Sequence, residues 1–473
     1  MGLVVPGPGV QNALAAVGTA YACSSPVLLL AGQVDTKELG RDGGALHEVN
    51  DQLDMVRPVT KWCKRATKIE EIPGAIREAF GRMRTGRPRP TEVEITWDAM
   101  RSSGDLKFSD PEKPLSRVDR ESISRAAELL AHARKPLIWA GGGAIVSDSS
   151  EELKDLCEAL GAPVAMTAQG KGALPENHAL SLGGSYFGYG PVRWAMPEAD
   201  VVLTVGTRIT WQQARPSTAL RPPQKLIQVD ADPSMIGKNY PAEVGIAGDA
   251  KAALGALLEE VRKGKVDQER WSASELEHFR ENHRKWLKEK APLQLEIIRT
   301  LRKELDDDAI FVCGVTNIGY WANLAYEVRR PRTYITSSYF ATLGFSFPTA
   351  LGAKLAAPER QVVCVVGDGG FMYACAELAT AVRYGINLVT VVFNDQAFGS
   401  TKSDQVVNFR GRIVGTEVNN PDFARLAEVF GAKGLKTPPE HLGKALQEAL
   451  GSKQPVVIEV PVPTLIAPFQ IYE

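Results

Sequence analysis

The chain has 473 residues, more than one ordinary hydrophobic core accommodates, so about two to four domains are expected. Hydrophobic residues make up 44% and charged residues 23%, the proportions of a globular enzyme, and 55 basic residues are scattered among 56 acidic ones. That balance argues against a nucleic-acid or membrane-surface partner, and no apolar run reaches the ~18 residues of a membrane span. Met1-Gly2-Leu3 lacks the basic region of a signal peptide, and the six cysteines are widely spaced without Cys-x-x-Cys. Buried free thiols in a reducing cytoplasm are therefore expected.

In chain order, Leu3-Val4-Val5 reads as a buried strand running into Pro6-Gly7-Pro8-Gly9 and a helix from near Val10. This first α/β segment spans residues 1–100. A Pro- and charge-rich connection then begins at Arg101-Ser102-Ser103-Gly104-Asp105 and ends near Arg117. A second segment, residues 118–263, opens with a helix over 122–133 and a buried strand over 136–140, and closes with a helix over 250–263. Residues 264–291 are strongly charged, with Trp271, Phe279 and Trp286 as anchors, and predict a connecting helical hairpin outside any core. A third segment occupies 293–473. Alternating strands and helices in all three imply an α/β protein of three parallel-sheet domains.

The third segment carries the chemistry. An apolar strand, Val362-Val363-Cys364-Val365-Val366, runs into Gly367-Asp368-Gly369-Gly370-Phe371. A second, residues 389–393, ends in Asn394-Asp395. In a parallel sheet both strand ends open on one edge. Asp368 and Asp395 can then offer oxygens to a hard cation such as Mg²⁺, while glycines let backbone N–H groups approach phosphate oxygens. A plain βαβ unit with two turn aspartates is the alternative.

This stretch resembles the thiamine diphosphate (ThDP) motif, Gly-Asp-Gly followed some two dozen residues later by Asn. The resemblance extends along nearly the whole chain to the acetohydroxyacid (acetolactate) synthase-like and 2-oxo acid decarboxylase enzymes. It implies three domains of the ThDP-binding fold, the first incomplete and the middle one Rossmann-like. It implies Mg²⁺ on Asp368, Asp395 and the carbonyl of Ala397, with Asn-Asp here in place of the family's Asn-Asn. Gly367, Gly369, Gly370 and Phe398 belong to the same diphosphate site. The loop Gly314-Val315-Thr316-Asn317-Ile318 matches the family's other diphosphate loop. Leu343 stands where a bulky apolar residue bends the cofactor. Pro8 and Asn12 match pyrimidine contacts, and Leu46-His47-Glu48 resembles a segment bordering the substrate pocket, where His47 can bind a carboxylate or move a proton.

The family's activating glutamate lies upstream of residues present here, and residues 1–37 contain no glutamate. Set against the family, the first domain lacks roughly 70 to 90 residues by ordinary domain size. The resemblance thus implies a ThDP- and Mg²⁺-dependent carboligase or decarboxylase of a small 2-oxo acid, working as a homodimer or homotetramer. The alternative is a catalytically silent ThDP-binding protein. In the middle segment, Gly141-Gly142-Gly143, Gly183-Gly184-Ser185, Gly206-Thr207-Arg208, Asp230 and Gly248-Asp249 stand where the synthases hold FAD. Ile209-Thr210-Trp211-Gln212 does not reproduce the synthases' following residues, so FAD is left open.

Overall fold

The computed structural model describes residues 1–108, 118–210, 215, 216, 218–264 and 270–471. Residues 109–117 of the expected connection, and Trp211 and Gln212, lie outside the described residues. The chain divides into two compact units, residues 1–116 with 338–342, and residues 117–337 with 343–473.

The first unit holds strands β1 (Gly2–Val4), β2 (Leu28–Gln33), β3 (Trp62–Ala66) and β4 (Thr91–Thr96) in the order β1-β2-β4-β3, all parallel. The run Leu3-Val4-Val5, expected as a buried strand, is instead an edge. β1 has a single neighbour, leaving Leu3 78% and Val5 54% exposed. Alternation along β4 sends Val93 toward Ala75, Ala79 and Met83 of the helix Glu71–Arg84. Glu92 and Glu94 take the opposite face. Glu94 is satisfied by Gln52 Nε2 at 2.8 Å and by Arg65 Nε. Gln52 also accepts the Gly7 N–H at 2.8 Å and donates to the Gly32 carbonyl at 3.0 Å, which pins the turn before the helix Pro8–Cys23.

Residues 338–342 pack in this unit through the Phe340 ring, which a Cβ on Gly18 would meet at 2.4 Å, and through the Thr19 and Thr342 hydroxyls, 2.9 Å apart.

The second unit contains two six-stranded parallel sheets. The first comprises β5 (Pro136–Ala140), β6 (Val164–Thr167), β7 (Ser181–Ser185), β8 (Val201–Val205), β9 (Lys225–Asp230) and β10 (Val244–Ala247), ordered β10-β9-β8-β5-β6-β7. That is the doubly wound order, with its reversal between β5 and β8. The turns after these two strands touch, since a Cβ on Gly143 would lie 2.5 Å from the Gly206 Cα. The second sheet comprises β11 (Ile310–Cys313), β12 (Tyr334–Thr336), β13 (Val362–Gly367), β14 (Val389–Asn394), β15 (Lys433–Lys436) and β16 (Val456–Pro461), ordered β12-β11-β13-β14-β16-β15. Both faces of its inner strands are buried. Val363 and Val365 enter one core while Val362, Cys364 and Val366 enter another, as the continuous apolar runs require.

The expected connecting hairpin over 264–291 is corrected. Its described part is a single helix, Ala273–Lys290, opened by a Ser272/Glu275 capping box. Leu276 and Phe279 enter the core on one side of the middle sheet, and Trp286 and Leu287 enter a core of the last sheet. The charge pattern hid this because those four positions fall on one narrow helical stripe. No described helix is long and apolar enough to cross a membrane, and the six cysteines are free.

Glu92 generates a stability prediction. Both its carboxylate oxygens are buried without a partner, and burial, then the charge of Glu94, pushes its pKa from 4.5 up to about 9 against the pull of Arg65. The folded state therefore favours the protonated acid. Its contribution is greatest below the ordinary carboxyl range and is lost as pH rises from about 4.5 toward 9. Denaturant titrations across that range should show stability falling with pH in the wild type and a flatter profile in Glu92→Gln.

Candidate cofactor site

In the last sheet the chain leaves β11 toward β12 on one side and returns to β13 on the other, so the loops after β11 and β13 flank a topological switch point. The two loops are in contact. A Cβ on Gly314 would lie 2.5 Å from the Val365 carbonyl, and one on Gly367 would lie 3.0 Å from Thr316 Oγ1. The Phe398 ring closes over the same place, 2.8 Å from where a Gly369 Cβ would stand. Leu343, half-buried, approaches Gly370, and Gly344 behind it adopts φ 82° with the Tyr373 side chain against it. Leu343, Thr316, Gly367, Asp368, Gly369, Gly370 and Phe398 are thereby brought together.

Asp368 is 2% exposed and accepts hydrogen bonds from the Gly369 N–H (2.9 Å), the Ala397 N–H (3.2 Å) and Asn420 Nδ2 (2.6 Å). Burial nevertheless pushes its carboxyl above the ordinary range, against these three donors. Asp395 is pushed up to about 6 by burial and then by the charge of Asp368, with the Thr464 hydroxyl opposing. Two carboxylates both raised by burial, one of them raised further by the charge of the other, with no basic side chain among the main influences on either, suit a cation. Among the described residues the Ala397 carbonyl takes part in no backbone hydrogen bond. Gly399 is required beside it, because a Cβ there would stand 2.1 Å from Asp395 Oδ2. Among the described residues no group of three or more His, Cys, Asp or Glu side chains gathers as a metal cluster. A set of two carboxylates and one carbonyl leaves positions for phosphate and water, which is how Mg²⁺ is held beside a diphosphate.

Three of the expected cofactor residues have groups engaged within the protein. Ile318 is 1% exposed and belongs to a core, so its side chain is unavailable and only its backbone lies at the helix start. The Asn317 side chain is spent, donating to the Leu465 carbonyl at 2.9 Å and accepting from Gln294 at 3.3 Å. The Gly369 N–H is engaged by Asp368. What the turn after β11 offers an anion is the N–H groups of the first turn of the helix Asn317–Ala325, with Val315 and Thr316 leading into it.

Pro8, Asn12 and His47 lie in the first unit. Pro8 is the first residue of its helix, and Asn12 is exposed one turn on. His47 is half-buried at φ 67°, and its carbonyl lies 2.5 Å from where a Cβ on Gly7 would stand. Its visible role is to shape the Pro6-Gly7-Pro8-Gly9 turn.

Sequence reasoning missed Asn420 and Glu459. Asn420 joins Asp368 to Asn394 Oδ1 (3.1 Å). Asn394 Nδ2 in turn donates to Glu459 Oε1 (3.0 Å), which also meets Lys436 Nζ at 3.1 Å. Glu459 carried a signal, a charge inside the apolar strand Val456–Pro461, whereas Asn420 in Asn-Asn-Pro is indistinguishable from a turn residue.

Three family models match the chain: the N-terminal TPP binding domain of thiamine pyrophosphate enzymes over residues 1–55, their central domain over 123–257, and their C-terminal TPP binding domain over 314–460. The chain belongs to the thiamine pyrophosphate (ThDP)-dependent enzymes. It is 34% identical to the probable acetolactate synthase large subunit of Methanocaldococcus jannaschii, covering 96% of this chain and 80% of that relative. It is 33% identical to the acetolactate synthase isozyme 3 large subunit of Escherichia coli, with 95% and 80% covered. It is 34% identical to the probable 2-ketoarginine decarboxylase of Pseudomonas aeruginosa, with 97% and 82% covered.

Asn420 supplies a test of the site's second layer. Asn420→Ala should weaken ThDP binding in the presence of Mg²⁺ about tenfold, by the loss of a hydrogen bond to a charged group worth roughly 1.5 kcal/mol. Asn420→Asp, which sets an acceptor against two acceptors, should weaken it further; isothermal titration of both variants checks the order.

Proposed function

We propose that the chain binds ThDP through Mg²⁺ held by Asp368, Asp395 and the Ala397 carbonyl, and acts on a small 2-oxo acid. What supports the reading is a pair of carboxylates, buried Asp368 and half-buried Asp395, whose pKa values burial raises and of which Asp395 is raised further by the charge of Asp368, beside glycines whose Cβ atoms would fill the space. Bound there, ThDP supplies an electron sink for breaking the bond between a 2-oxo acid's carbonyl carbon and its carboxylate. The chain's own contribution is position. Asp368 and Asp395 fix the cation, and the first turn of the helix Asn317–Ala325 faces the diphosphate with free N–H groups. Leu343 presents an apolar surface that limits water, and Phe398 packs over Gly369. The relatives' names span carboligation and decarboxylation, so the second reactant, another carbonyl or a proton, is the point on which substrates divide.

Assembly as a homodimer or homotetramer in the cytoplasm belongs to the same proposal, on the resemblance alone. FAD is a separate matter. Gly141, Gly143 and Gly206 are already required by backbone contact, Asp249 caps the helix Ala250–Lys263, and Asp230 accepts the Asp232 N–H. The visible absorbance of the purified protein decides whether a flavin is present.

Saturating ThDP with Mg²⁺ should raise the melting temperature, the stabilisation reaching about 2.7 kcal/mol at roughly a hundred times Kd. Asp368→Ala or chelation of the metal should abolish the shift. An unchanged shift in Asp368→Ala would refute the assignment of the cation. Incubation with pyruvate should then release CO₂, with acetolactate marking carboligation and acetaldehyde marking decarboxylation. A thermal shift without CO₂ from pyruvate or a panel of other 2-oxo acids would instead identify a silent ThDP-binding protein.

A further inference from the structure

Glu459 is a carboxylate in a strand that is otherwise apolar. It is 1% exposed in β16, between the buried Ile458 and Val460, with Val392 of β14 beside it on one side and Lys436 of β15 on the other. A buried carboxylate is tolerated only where donors surround it, and three converge here. Oε2 accepts the Phe423 N–H at 2.8 Å, at the start of the helix Phe423–Val429. Oε1 accepts Asn394 Nδ2 at 3.0 Å and lies 3.1 Å from Lys436 Nζ.

The contacts with Phe423 and Lys436 tie neighbouring elements together. The contact with Asn394 reaches the cofactor site. Asn394 is 4% exposed and ends β14, directly before Asp395. Its Oδ1 accepts the Gln396 N–H at 3.1 Å, closing a turn across Asp395, and accepts Asn420 Nδ2 at 3.1 Å. The same Asn420 Nδ2 donates to Asp368 Oδ2 at 2.6 Å. Gln396 stands at φ 56°, a conformation that a residue with a Cβ holds only with support from its surroundings. Two bonds give that support: its N–H to Asn394, and its carbonyl accepting the Val418 N–H at 3.0 Å. Ala397 comes next. Its N–H reaches Asp368 Oδ2 at 3.2 Å, and its carbonyl is the third ligand assigned to the cation.

The Asn394 amide has two orientations of nearly the same shape, and only one of them pairs every group. With Oδ1 toward Gln396 and Asn420, two donors meet an acceptor. Turned over, its NH₂ would confront a backbone N–H and a second NH₂, and its oxygen would confront Glu459. An ionised carboxylate only accepts, so Glu459 admits the NH₂ and excludes the oxygen. Resting on the ThDP reading above, we propose that Glu459 is a positioning residue for the Mg²⁺ and ThDP site. Acting through Asn394, it fixes which way that amide points, and with it the turn at Gln396, the direction of the Ala397 carbonyl and the hydrogen bond that Asn420 gives Asp368.

The polarity of the bond between Glu459 and Asn394 can be inverted to test this. Glu459→Gln keeps the shape, but the Phe423 N–H claims its oxygen and leaves an NH₂ facing the Asn394 NH₂. Asn394→Asp sets one carboxylate against another. The double variant Glu459→Gln/Asn394→Asp again places a donor opposite an acceptor and leaves a carboxylate oxygen for Gln396 and Asn420. Isothermal titration of the full chain with ThDP at saturating Mg²⁺, at a temperature where circular dichroism shows each variant folded, should find each single variant about tenfold weaker than the wild type. The double variant should return to within about threefold of the wild type. Mn²⁺ in place of Mg²⁺, followed through the electron paramagnetic resonance of the free ion in the presence of ThDP, should give the same order. Lys436→Met leaves an acceptor facing Asn394, so it should lower the melting temperature of the chain without cofactor yet keep ThDP affinity within about threefold. A residue that only stabilises the fold would move melting temperatures and leave all these affinities at the wild-type value.

The proposal is overturned if Glu459→Gln binds ThDP as tightly as the wild type, if the double variant binds no more tightly than Glu459→Gln, if Asn394→Asp binds more tightly than the wild type, or if Lys436→Met weakens binding as much as Glu459→Gln. A wild type that binds no ThDP with Mg²⁺ would overturn the ThDP reading and the role of Glu459 together. Binding that is lost in Asp368→Ala but unchanged in Glu459→Gln would overturn the role of Glu459 alone.

Discussion

Two carboxylates that repel one another are held together at the edge of the last sheet, and the surrounding structure is organised around that cost. Asp368 and Asp395 end neighbouring parallel strands, β13 and β14, whose register sets Gly367 beside Phe393. Burial raises the pKa of both, and the charge of one raises the other further. Such a pair is tolerable only if a cation shares it or if donors surround it. The donors are visible: two backbone amides and Asn420 on Asp368, and Thr464 on Asp395. The row continues through Asn394 to Glu459 and Lys436, so a charge on the surface of β15 is linked by hydrogen bonds to the site. A half-satisfied network of this kind is costly, which accounts for polar residues inside otherwise apolar strands.

Glycine at these positions answers to close approach more than to ligand contact. Gly314, Gly367 and Gly369 each stand where a Cβ would strike backbone, hydroxyl or ring atoms of the neighbouring loop, and the middle sheet repeats the device at Gly141, Gly143 and Gly206. Both sheets of the second unit reverse strand order at the point where these turns meet, which is where an open α/β sheet leaves a crevice. In the last sheet the crevice is edged by acids. In the middle sheet no pair of acids stands at the described Gly141 and Gly206 turns, and the close backbone approach there accounts for those glycines. The same glycine pattern therefore carries different weight in the two places, and the neighbouring side chains decide which.

The first unit shows the same economy at smaller scale. Gln52 satisfies Gly7, Gly32 and Glu94 at once, so the turn that begins the helix Pro8–Cys23 is held by a residue distant in sequence. Glu92, on the same face of β4 as Glu94, receives no such partner and is held neutral by burial. The two glutamates differ in their neighbours: Arg65 of β3 and Gln52 of the helix Gln52–Val56 for Glu94, and Leu29 and Cys63 on the flanking strands for Glu92.

The sequence by itself determined whatever depends on local pattern. Continuous apolar runs such as residues 362–366 and 389–393 specify buried parallel strands, and a glycine-flanked aspartate following one such run and Asn-Asp following the other mark the ends that carry chemistry. The family was legible for the same reason, because its motifs are short and tied to strand ends. Tertiary structure alone decided which groups share a space. It turned the Asn317 side chain to the segment after β16 and Ile318 into a core, and it brought Asn420 to Asp368 across 52 positions. It made an edge of Leu3-Val4-Val5 and a core element of the charged helix Ala273–Lys290. Burial, partner count and electrostatic environment are sums over neighbours that the chain supplies from far apart, so no local window of the sequence contains them.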